Sequence, residues 1–370
     1  MKKVLVYYPF ALAEQANSGS KLRPHEMYKA FCEWGSRNGV QIVFISGTSA
    51  EREKQFRQLV DSGELEDIWF CYMENQTIPL WLTDPGHRPQ KPLIDRAVLR
   101  YLKKRNVPVG VFYRDVYWKF DELYPLKGWK KKIMQTIYRL EERFYEAYCD
   151  VIFLPSNEMG KYVAINRPMT DLPPGGKQRT IHREQRGKSV VSGVYVGGIN
   201  NEDYGLFLLL DALELVNSPT PLLHLTIVCR KNEYEALPEE QKARIRRLGV
   251  DVQHISGAAL DRLYEQMDFA FIPRLRSEYN DFSVPVKLVE YLSNELPVVA
   301  TNCLAQQRFI ETDEYGVVCE DHPQSMAEAI RTMIERKDYY RQRISETFMQ
   351  KHSWLARVEK VKRTLAREEI

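Results

Sequence analysis

Short apolar runs alternate with helix-length segments along almost the whole chain, and the alternation stops once, between residues 170 and 190. Runs such as VLVYY (4–8) and QIVFIS (41–46) are short and rich in β-branched and aromatic residues, which favours strands. Strands that alternate with helices form parallel sheets, because each crossover helix returns the chain to the same edge. The pattern therefore predicts an α/β protein with doubly wound sheets.

The interruption predicts two domains joined by a linker. Residues 170–189 read TDLPPGGKQRTIHREQRGKS, and their prolines, glycines and charges are typical of an exposed connection. In doubly wound sheets, ligands bind beyond the carboxyl ends of the strands. A binding site in a cleft between the two domains is therefore expected.

The composition excludes several classes of protein. Of the 370 residues, 44% are hydrophobic and 28% are charged, and the formal net charge of +3 creates no field that would require a nucleic acid partner. No apolar run reaches the roughly 18 residues that a membrane-spanning helix needs. The six cysteines lie far apart without a Cys-x-x-Cys pair, so neither a zinc site nor a disulfide framework is expected. A reducing cytoplasm is the expected location.

One stretch, DFSVPVKLVEYLSNELPVVAT (281–301), combines groups that suit a nucleotide. It opens a helix, and a helix N-terminus offers unpaired N–H groups and a partial positive charge for phosphate. Ser283 adds a hydroxyl and Lys287 a cation. Glu290, on the same helix face as Lys287, can accept two hydrogen bonds from a sugar diol. The alternative is an ordinary helix start with a surface Lys–Glu pair.

This stretch resembles the carboxyl-domain signature of retaining GT-B glycosyltransferases of family four, in its Pro-x-Lys-x-x-Glu-Tyr-Leu form. The similarity extends to YVGGINNEDYGLFLLLDAL (195–213), LHLTIVCRKNEY (223–234), FIPR (271–274) and HSW (352–354). It implies a GT-B fold, with two doubly wound Rossmann-like domains facing across a cleft. The domains implied are an acceptor-side domain over 1–180, a nucleotide-sugar-binding domain over 190–350, and a C-terminal helix over 351–370 that packs back toward the first domain.

The resemblance implies a glycosyltransferase that moves a sugar from a UDP or GDP sugar to a glycan or lipid-linked acceptor, with retention of configuration. It implies no metal and no other cofactor, and the Asp-x-Asp of many metal-binding GT-A enzymes does not occur in the chain. Surface polysaccharide synthesis, in the cytoplasm or at the inner face of the cell membrane, is the implied setting. Two alternatives are a catalytically degenerate GT-B protein that binds a glycan or partner, and a sugar-nucleotide epimerase.

The donor site departs from the family pattern. Glu290 matches the glutamate that holds the nucleotide ribose, but the glutamate that contacts the donor sugar falls on Phe282, with Asp281 or Glu278 as substitutes. The loop GGINNEDYG (197–205) also lacks the arginine and lysine that neutralise the diphosphate in many members. The donor-binding residues expected from the resemblance are Gly19, Ser20, Gly198, Arg230, Arg274, Ser283, Val284, Lys287 and Glu290, with Arg276 as a further cation.

Arg230 and Lys287 are assigned the catalytic role of balancing the charge of the departing diphosphate. Arg230 follows a strand of the second half, at the sheet edge where ligands bind. The alternative for Arg230 is a surface position beside Glu233.

Two segments of the first half are assigned to the acceptor side, and the resemblance places the first of them against the donor phosphate as well. In NSGSKLRPHEM (17–27), Gly19 permits close approach of a ligand, and Ser20 and Arg23 can contact it. In FYRDVYWKF (112–120), Asp115 can orient the acceptor hydroxyl or stabilise positive charge at the sugar carbon. The expected acceptor-side residues are Arg23, Arg114, Asp115, Tyr117 and Trp118, the two aromatics as stacking surfaces for a sugar. The alternative is an Arg114–Asp115 structural pair over an aromatic core patch.

Residues 126–144, LKGWKKKIMQTIYRLEERF, form a basic amphipathic helix pattern. Such a helix can lie on anionic lipid, which would suit a lipid-linked acceptor. The alternative is an apolar stripe that faces the core beneath a solvated basic face. The stripe consists of Trp129, Ile133, Ile137 and Leu140, and the basic residues are Lys130, Lys131, Lys132 and Arg139.

Overall fold

The structure, a computed structural model, describes residues 1–13, 19–182 and 190–366, and of Gly19 and Ser20 it describes the backbone alone. The chain divides into two compact units. The first comprises Met1–Gly175 together with Trp354–Ile370, and the second comprises Gly176–Ser353. Within the described ranges, no helix is both long and apolar enough to cross a membrane.

The first unit is built around a six-stranded sheet. Its elements up to residue 175 are β1 (Lys3–Tyr7), α1 (Gly19–Asn38), β2 (Gln41–Ile45), α2 (Ser49–Asp61), β3 (Ile68–Glu74), α3 (Ile94–Lys104), β4 (Val109–Phe112), α4 (Gly128–Tyr148), β5 (Val151–Leu154) and β6 (Met169–Asp171). All neighbouring strands are parallel, in the order β2-β1-β3-β4-β5-β6. The chain moves outward from β1 to β2 and then crosses over to β3, so its winding direction reverses between β1 and β3.

The second unit repeats this architecture. Its elements are β7 (Val191–Val196), α5 (Leu206–Val216), β8 (Leu223–Val228), α6 (Lys231–Glu235), α7 (Glu239–Arg247), β9 (Asp251–Gln253), α8 (Ala258–Glu265), β10 (Phe269–Ile272), α9 (Glu278–Phe282), α10 (Val286–Ser293), β11 (Val298–Thr301), α11 (Leu304–Asp313), β12 (Gly316–Cys319) and α12 (Pro323–His352). The sheet is parallel, in the order β12-β11-β10-β7-β8-β9. Its winding direction reverses between β7 and β10. The predicted doubly wound α/β architecture is confirmed.

A last helix, α13 (Trp354–Leu365), belongs to the first unit. Its apolar face, which includes Val358 and Val361, lies in one cluster with Val4 of β1 and Phe31 of α1. The indole nitrogen of Trp34 donates a 2.6 Å hydrogen bond to Glu359. Helix α13 is therefore part of the same core as β1 and α1.

The predicted linker is wrong over its first residues. Residues 169–171 form β6, which pairs with β5, and Leu172 is fully buried. Gly175 and Gly176 are also buried, and a Cβ on Gly175 would lie 2.6 Å from the Trp354 ring. A Pro-Pro-Gly-Gly sequence looks like a surface loop, but here its small residues allow close packing. Residues 183–189 lie outside the described part of the chain.

Candidate functional site

The reversal point of the second sheet brings two loops together. Ligands of doubly wound sheets bind beyond the carboxyl ends of the strands at this point. The loop after β7 (197–205) and the loop after β10 (273–277) are joined by a 3.0 Å hydrogen bond from Leu275 N to Asp203 O. Gly205 has φ of +71°, and a Cβ there would lie 1.7 Å from Pro273 O. Only glycine permits this approach.

Arg274 lies directly after β10, at the reversal point. Its Nη1 donates to Ser283 Oγ at 2.7 Å and to Ser283 O at 3.4 Å, and its Nη2 donates to Asn280 Oδ1. Burial lowers the pKa of Arg274, since desolvation disfavours the charged form. Among the described residues, no carboxylate lies within ion-pair distance of Arg274. The site thus holds a buried cation that has neutral partners, which is a suitable arrangement for binding an anion.

The structure also brings Lys287 and Glu290 together on α10. Lys287 Nζ lies 2.9 Å and 2.8 Å from the two carboxylate oxygens of Glu290, and the Tyr264 hydroxyl donates to Glu290 Oε1 at 2.8 Å. α10 begins after Pro285, and no side chain caps its N-terminus. Val284 is half-buried next to Pro285. Lys287 and Glu290 thus form the Lys–Glu ion pair that was the alternative to a nucleotide site. The same helix start, however, leaves its first N–H groups without a side-chain cap.

Arg230 follows β8, next to β7, and its side chain is 80% exposed. Its guanidinium donates to Glu233 at 3.2 Å. This is the surface contact that was the alternative to a diphosphate-binding role for Arg230. Glu233 is buried and also accepts a 3.1 Å hydrogen bond from Ile199 N, so it fixes the loop after β7. Gly198 lies in the same loop, and its carbonyl accepts a 2.6 Å hydrogen bond from the Tyr195 hydroxyl.

The family's sugar-contacting glutamate falls on Phe282 in this chain, and the carboxylates of Asp281 and Glu278 do not occupy the position of the Phe282 side chain. The Phe282 ring itself is 2% exposed and packs against Tyr279. Asp281 forms an ion pair with Arg276 at 2.7 Å and accepts a hydrogen bond from Leu304 N at 3.3 Å, while Glu278 is exposed. The carboxylate of Asp281 therefore stabilises the conformation of this loop through these two contacts.

The reversal point of the first sheet holds a buried charge cluster. Glu74, at the carboxyl end of β3, is fully buried. Its Oε2 lies 3.1 Å from Arg114 Nη2, its Oε1 lies 3.4 Å from Arg23 Nε, and the Tyr72 hydroxyl donates to Oε1 at 2.7 Å. Sequence reasoning missed Glu74. A carboxylate at the very end of an apolar strand was the available signal.

The alternative of an Arg114–Asp115 structural pair is wrong, because Arg114 pairs with Glu74 instead. Asp115 is half-buried, and its Oδ1 accepts a 2.9 Å hydrogen bond from Tyr117 N. Arg23 is buried, and its guanidinium carbon lies 3.4 Å from the centre of the Phe112 ring. Gly19 and Ser20 are the first two residues of α1, and the side chain of Ser20 lies outside the described part.

Trp118 does not offer a stacking surface, so that expectation is wrong. Its ring is 2% exposed and stacks on Tyr138 with a centroid distance of 4.9 Å. Tyr117 is half-buried, and its hydroxyl lies 3.0 Å from that of Tyr138. An aromatic cluster that includes Tyr124 fills this part of the unit. For Trp118, the aromatic core patch was the correct alternative.

The apolar stripe of α4 faces outward, so the core-facing alternative is wrong for most of it. Trp129 is 67%, Ile133 51% and Leu140 47% exposed, and Ile137 is half-buried. Lys130, Lys132 and Arg139 are also exposed, whereas Lys131 forms an ion pair with Asp121 at 2.5 Å. The structure thus shows an exposed apolar stripe flanked by basic side chains.

Comparisons with known proteins agree with the fold. Residues 191–336 match the family model described as Glycosyl transferases group 1. No curated protein matches the sequence. Sucrose-phosphate synthase from Thermosynechococcus elongatus superposes with a TM-score of 0.58, at 12% identity over 98% of each chain. Anabaena Alr3699/HepE in complex with UDP gives a TM-score of 0.62, at 14% identity over 100% of both chains.

A third similar structure is the apo form of the lipopolysaccharide outer core galactosyltransferase WaaB, with a TM-score of 0.57 and 12% identity over 100% of both chains. At these identities the likeness establishes the fold, which is GT-B with two Rossmann-like units. The predicted fold class is thereby confirmed. The family match in the second unit and the fold together support a glycosyl-transferring enzyme.

Proposed function

We propose that this chain is a metal-independent, retaining glycosyltransferase. It takes a sugar from a nucleoside-diphosphate sugar, of UDP or GDP type, and transfers it to a hydroxyl of a glycan or lipid-linked acceptor in surface polysaccharide synthesis. The observation that carries the proposal is Arg274, a buried guanidinium without a carboxylate partner among the described residues, at the reversal point of the second sheet.

Arg274 supplies the charge that a diphosphate needs. The family's usual cations are missing from the loop after β7, but Arg274 lies on the neighbouring β10 loop, tied to it through Leu275 and Asp203. Because the hydrogen-bond partners of Arg274 among the described residues are neutral, an incoming diphosphate does not have to displace any of their carboxylates. An arginine fork in a partly dehydrated site interacts with phosphate more strongly than in water. Arg230 and Lys287 add charge as the diphosphate departs.

Glu290 is assigned to the nucleotide ribose. Its carboxylate is held by Lys287 and Tyr264 and is partly exposed, so the ribose hydroxyls can reach it. As the diphosphate binds, Lys287 turns from Glu290 toward the phosphate, and Glu290 accepts from the diol instead. The uncapped N-terminus of α10 adds its dipole to the same charge.

The reaction is a front-face displacement through an ion-pair-like transition state. The bond between the sugar carbon and the diphosphate oxygen breaks, and both electrons leave with the diphosphate. The acceptor oxygen attacks from the same face, and its proton passes to the departing oxygen. Positively charged side chains near the diphosphate stabilise the leaving group. Asp115 serves the acceptor side, either by orienting the hydroxyl or by stabilising charge at the sugar carbon. With these cations balancing the charge, no metal is required.

UDP is the first nucleotide to test, because structures of HepE are in complex with UDP, with UDP and glucose, and with UDP-glucose. The proposed partners are the nucleotide sugar, a glycan or lipid-linked acceptor, and anionic lipid through residues 126–144. The exposed stripe and basic flank of α4 support the lipid contact. The proposed location is the cytoplasm, at the inner face of the cell membrane.

A second candidate is a catalytically degenerate GT-B protein that binds a glycan or a partner. It is favoured by Phe282, which is buried where the family places the sugar-contacting glutamate, and by Asp281, which is engaged with Arg276. Under this reading, a nucleotide still binds but no sugar is transferred or hydrolysed.

The decisive experiment is a calorimetric titration of the purified chain with UDP, GDP, CMP and dTDP without metal. The corresponding nucleotide sugar is then incubated with the protein, and release of the free nucleotide is measured. Micromolar binding of one nucleotide with slow sugar release supports the enzyme. Binding without release favours the degenerate protein. If none of the four binds, the donor site described here is wrong.

A further inference from the structure

Arg23 is a buried guanidinium with unused hydrogen-bonding capacity. Its side chain is 7% exposed, and neither Nε nor Nη1 has a hydrogen-bond partner in the described chain. Nη2 makes one long contact, 3.5 Å to the Tyr72 hydroxyl. A guanidinium carries five N–H donors, and leaving a buried donor unpaired is energetically unfavourable. The burial of Arg23 with these unpaired donors is therefore unfavourable for the stability of the fold.

Glu74 compensates Arg23 only in part. The carboxylate is shared with Arg114, whose Nη2 lies closer, at 3.1 Å, than Arg23 Nε does, at 3.4 Å. Glu74 Oε1 also accepts the shorter 2.7 Å hydrogen bond from Tyr72. A shared carboxylate leaves Arg23 with a positive charge that no described group fully neutralises. Charges buried in this way are usually paired, or they bind a ligand of opposite sign.

The guanidinium of Arg23 is also held in a fixed orientation. The Phe112 ring lies 3.4 Å from its carbon atom, and the Trp354 ring lies 5.6 Å from it. Stacking on an aromatic face leaves the donor edge of a guanidinium available in the plane. Glu74 ends β3 and Phe112 ends β4, so the cluster lies beyond the carboxyl ends of these strands, beside the reversal point of the sheet. This is where a ligand of the first unit would bind.

We infer that Arg23 binds an oxyanion, a phosphate or a carboxylate group carried by the acceptor. The inference rests on the proposed function, in which the first unit is the acceptor side, and it makes the acceptor an anionic molecule. Nη1 is covered by surrounding protein atoms, so these neighbours must shift when the anion binds. The planar guanidinium can then pair with two oxygens of the group.

The test uses the full chain with saturating UDP, so that the second unit is occupied by nucleotide. Inorganic phosphate and acetate are titrated at constant ionic strength into four proteins: the wild type, Arg23→Gln, Arg23→Lys and Lys21→Gln. Lys21 is an exposed cation two residues away, so Lys21→Gln removes the same charge without touching the cluster. We expect Arg23→Gln to weaken binding at least tenfold, Arg23→Lys to weaken it less, and Lys21→Gln to leave it unchanged.

The two probes distinguish the source of the oxyanion. Tighter binding of phosphate indicates an acceptor with a phosphate group, and equal or tighter binding of acetate indicates a carboxylate such as that of an acidic sugar. If neither probe binds the wild type, or if Arg23→Gln binds as tightly as the wild type, the inference is wrong.

Hydrogen exchange of the wild type provides a second measurement that needs no variant. Phosphate should protect the amides of the first turns of α1 and of residues 72–75, at the end of β3. Absence of protection there overturns the inference even if a variant fails to fold. If UDP does not protect the amides of the loops after β7 and β10, the proposed function is wrong instead. The two outcomes are distinguishable because they are measured on different peptides.

Discussion

The guanidinium of Arg274 donates a 2.7 Å hydrogen bond to the hydroxyl of Ser283, and this contact connects the end of β10 to the segment that opens α10. A buried arginine usually forms an ion pair with a carboxylate, whereas Arg274 donates hydrogen bonds to a hydroxyl, a carbonyl and an amide oxygen. None of these groups cancels its charge.

Arg274 should be more important for nucleotide binding than Arg276, although both follow β10. Arg276 is 40% exposed and its charge is matched by Asp281, whereas Arg274 has no such partner among the described residues. We expect Arg274→Gln to weaken UDP binding at least tenfold, which is about 1.4 kcal/mol. Arg276→Gln should change it less than threefold. Calorimetry measures both, and equal effects would contradict the assignment.

Glu290 should matter for the nucleoside and not for the diphosphate. Glu290→Gln removes the charge that is assigned to the ribose diol, and it also frees Lys287 from its 2.8 Å ion pair. We expect UDP to bind about tenfold more weakly, since a hydrogen bond to a charged group contributes about 1.5–3 kcal/mol. Pyrophosphate should bind as well as before, or better. Equal losses for UDP and pyrophosphate would show that Glu290 acts only by positioning Lys287.

Gly205 should not tolerate alanine. Its φ of +71° is unfavourable for other residues, and the added Cβ would lie 1.7 Å from the carbonyl oxygen of Pro273. We expect Gly205→Ala to lower the free energy of unfolding by about 2–4 kcal/mol and to weaken UDP binding, because the loops after β7 and β10 must separate. Gly249→Ala provides the control, since Gly249 has φ of +65° but open space around a Cβ. It should destabilise the protein by only about 1 kcal/mol and leave UDP binding unchanged.

The exposed stripe of α4 should hold the protein on anionic vesicles. Trp129 and Ile133 are 67% and 51% exposed, and Lys130 and Lys132 flank them. Burying one such side chain contributes about 1.5–3 kcal/mol, so Ile133→Ser should weaken binding to phosphatidylglycerol vesicles about tenfold. Cosedimentation measures this. Leu215→Ser is a matched control, because Leu215 is 39% exposed but lies on α5 of the second unit. Equal losses in the two variants would contradict the prediction.

Stability should fall with rising pH because of Glu141. Burial raises the pKa of its carboxyl from the ordinary 4.5 to about 8, and hydrogen bonds from Leu80 N and Tyr145 offset this only in part. The folded state keeps a proton that the unfolded state releases above pH 4.5. The stabilising contribution is therefore complete below pH 4.5 and is lost as the pH rises through 8, at up to about 1.4 kcal/mol per pH unit.

Denaturant unfolding between pH 5.5 and 9 measures this effect. Glu141→Gln should gain stability relative to the wild type as the pH rises, and the difference should level off above the pKa of about 8. Glu122→Gln, at an exposed position, should follow the wild type at every pH. A constant difference between Glu141→Gln and the wild type would show that Glu141 is ionised in the folded protein.

The repeating strands and helices were predictable because each carries its own signal. The apolar segment LFLLLDALELV forms α5, from Leu206 to Val216. The missed elements are short or weakly marked: β6 has three residues, β12 has four and α9 has five. α11 begins after Cys303 without a side-chain cap, so no start signal identified it. Elements of this kind form because a neighbouring strand or helix already provides their partner.

The candidate site was only partly predictable. The α10 segment could be identified because Lys287 and Glu290 lie on one turn of a helix. The sequence favoured Arg230 as the catalytic cation and could not separate Arg274 from Arg276. Differences in exposure and ion pairing distinguish the three arginines only in the structure. Glu74 and Arg23 are 51 residues apart in the chain, so no local pattern could connect them. Contacts between the ends of different strands are set by the order of the sheet.

The way the chain returns to its first unit affects the order of assembly during synthesis. Gly176 and Ser353 form a bridge, so the second unit begins and ends at neighbouring points and is a continuous piece of chain. The first unit lacks α13, with Val358 and Val361 of its core, until residues 354–365 have left the ribosome. The unit that is translated first therefore completes its packing last. Nascent chains halted before residue 354 should contain a complete second unit, whereas their first sheet still exposes apolar surface.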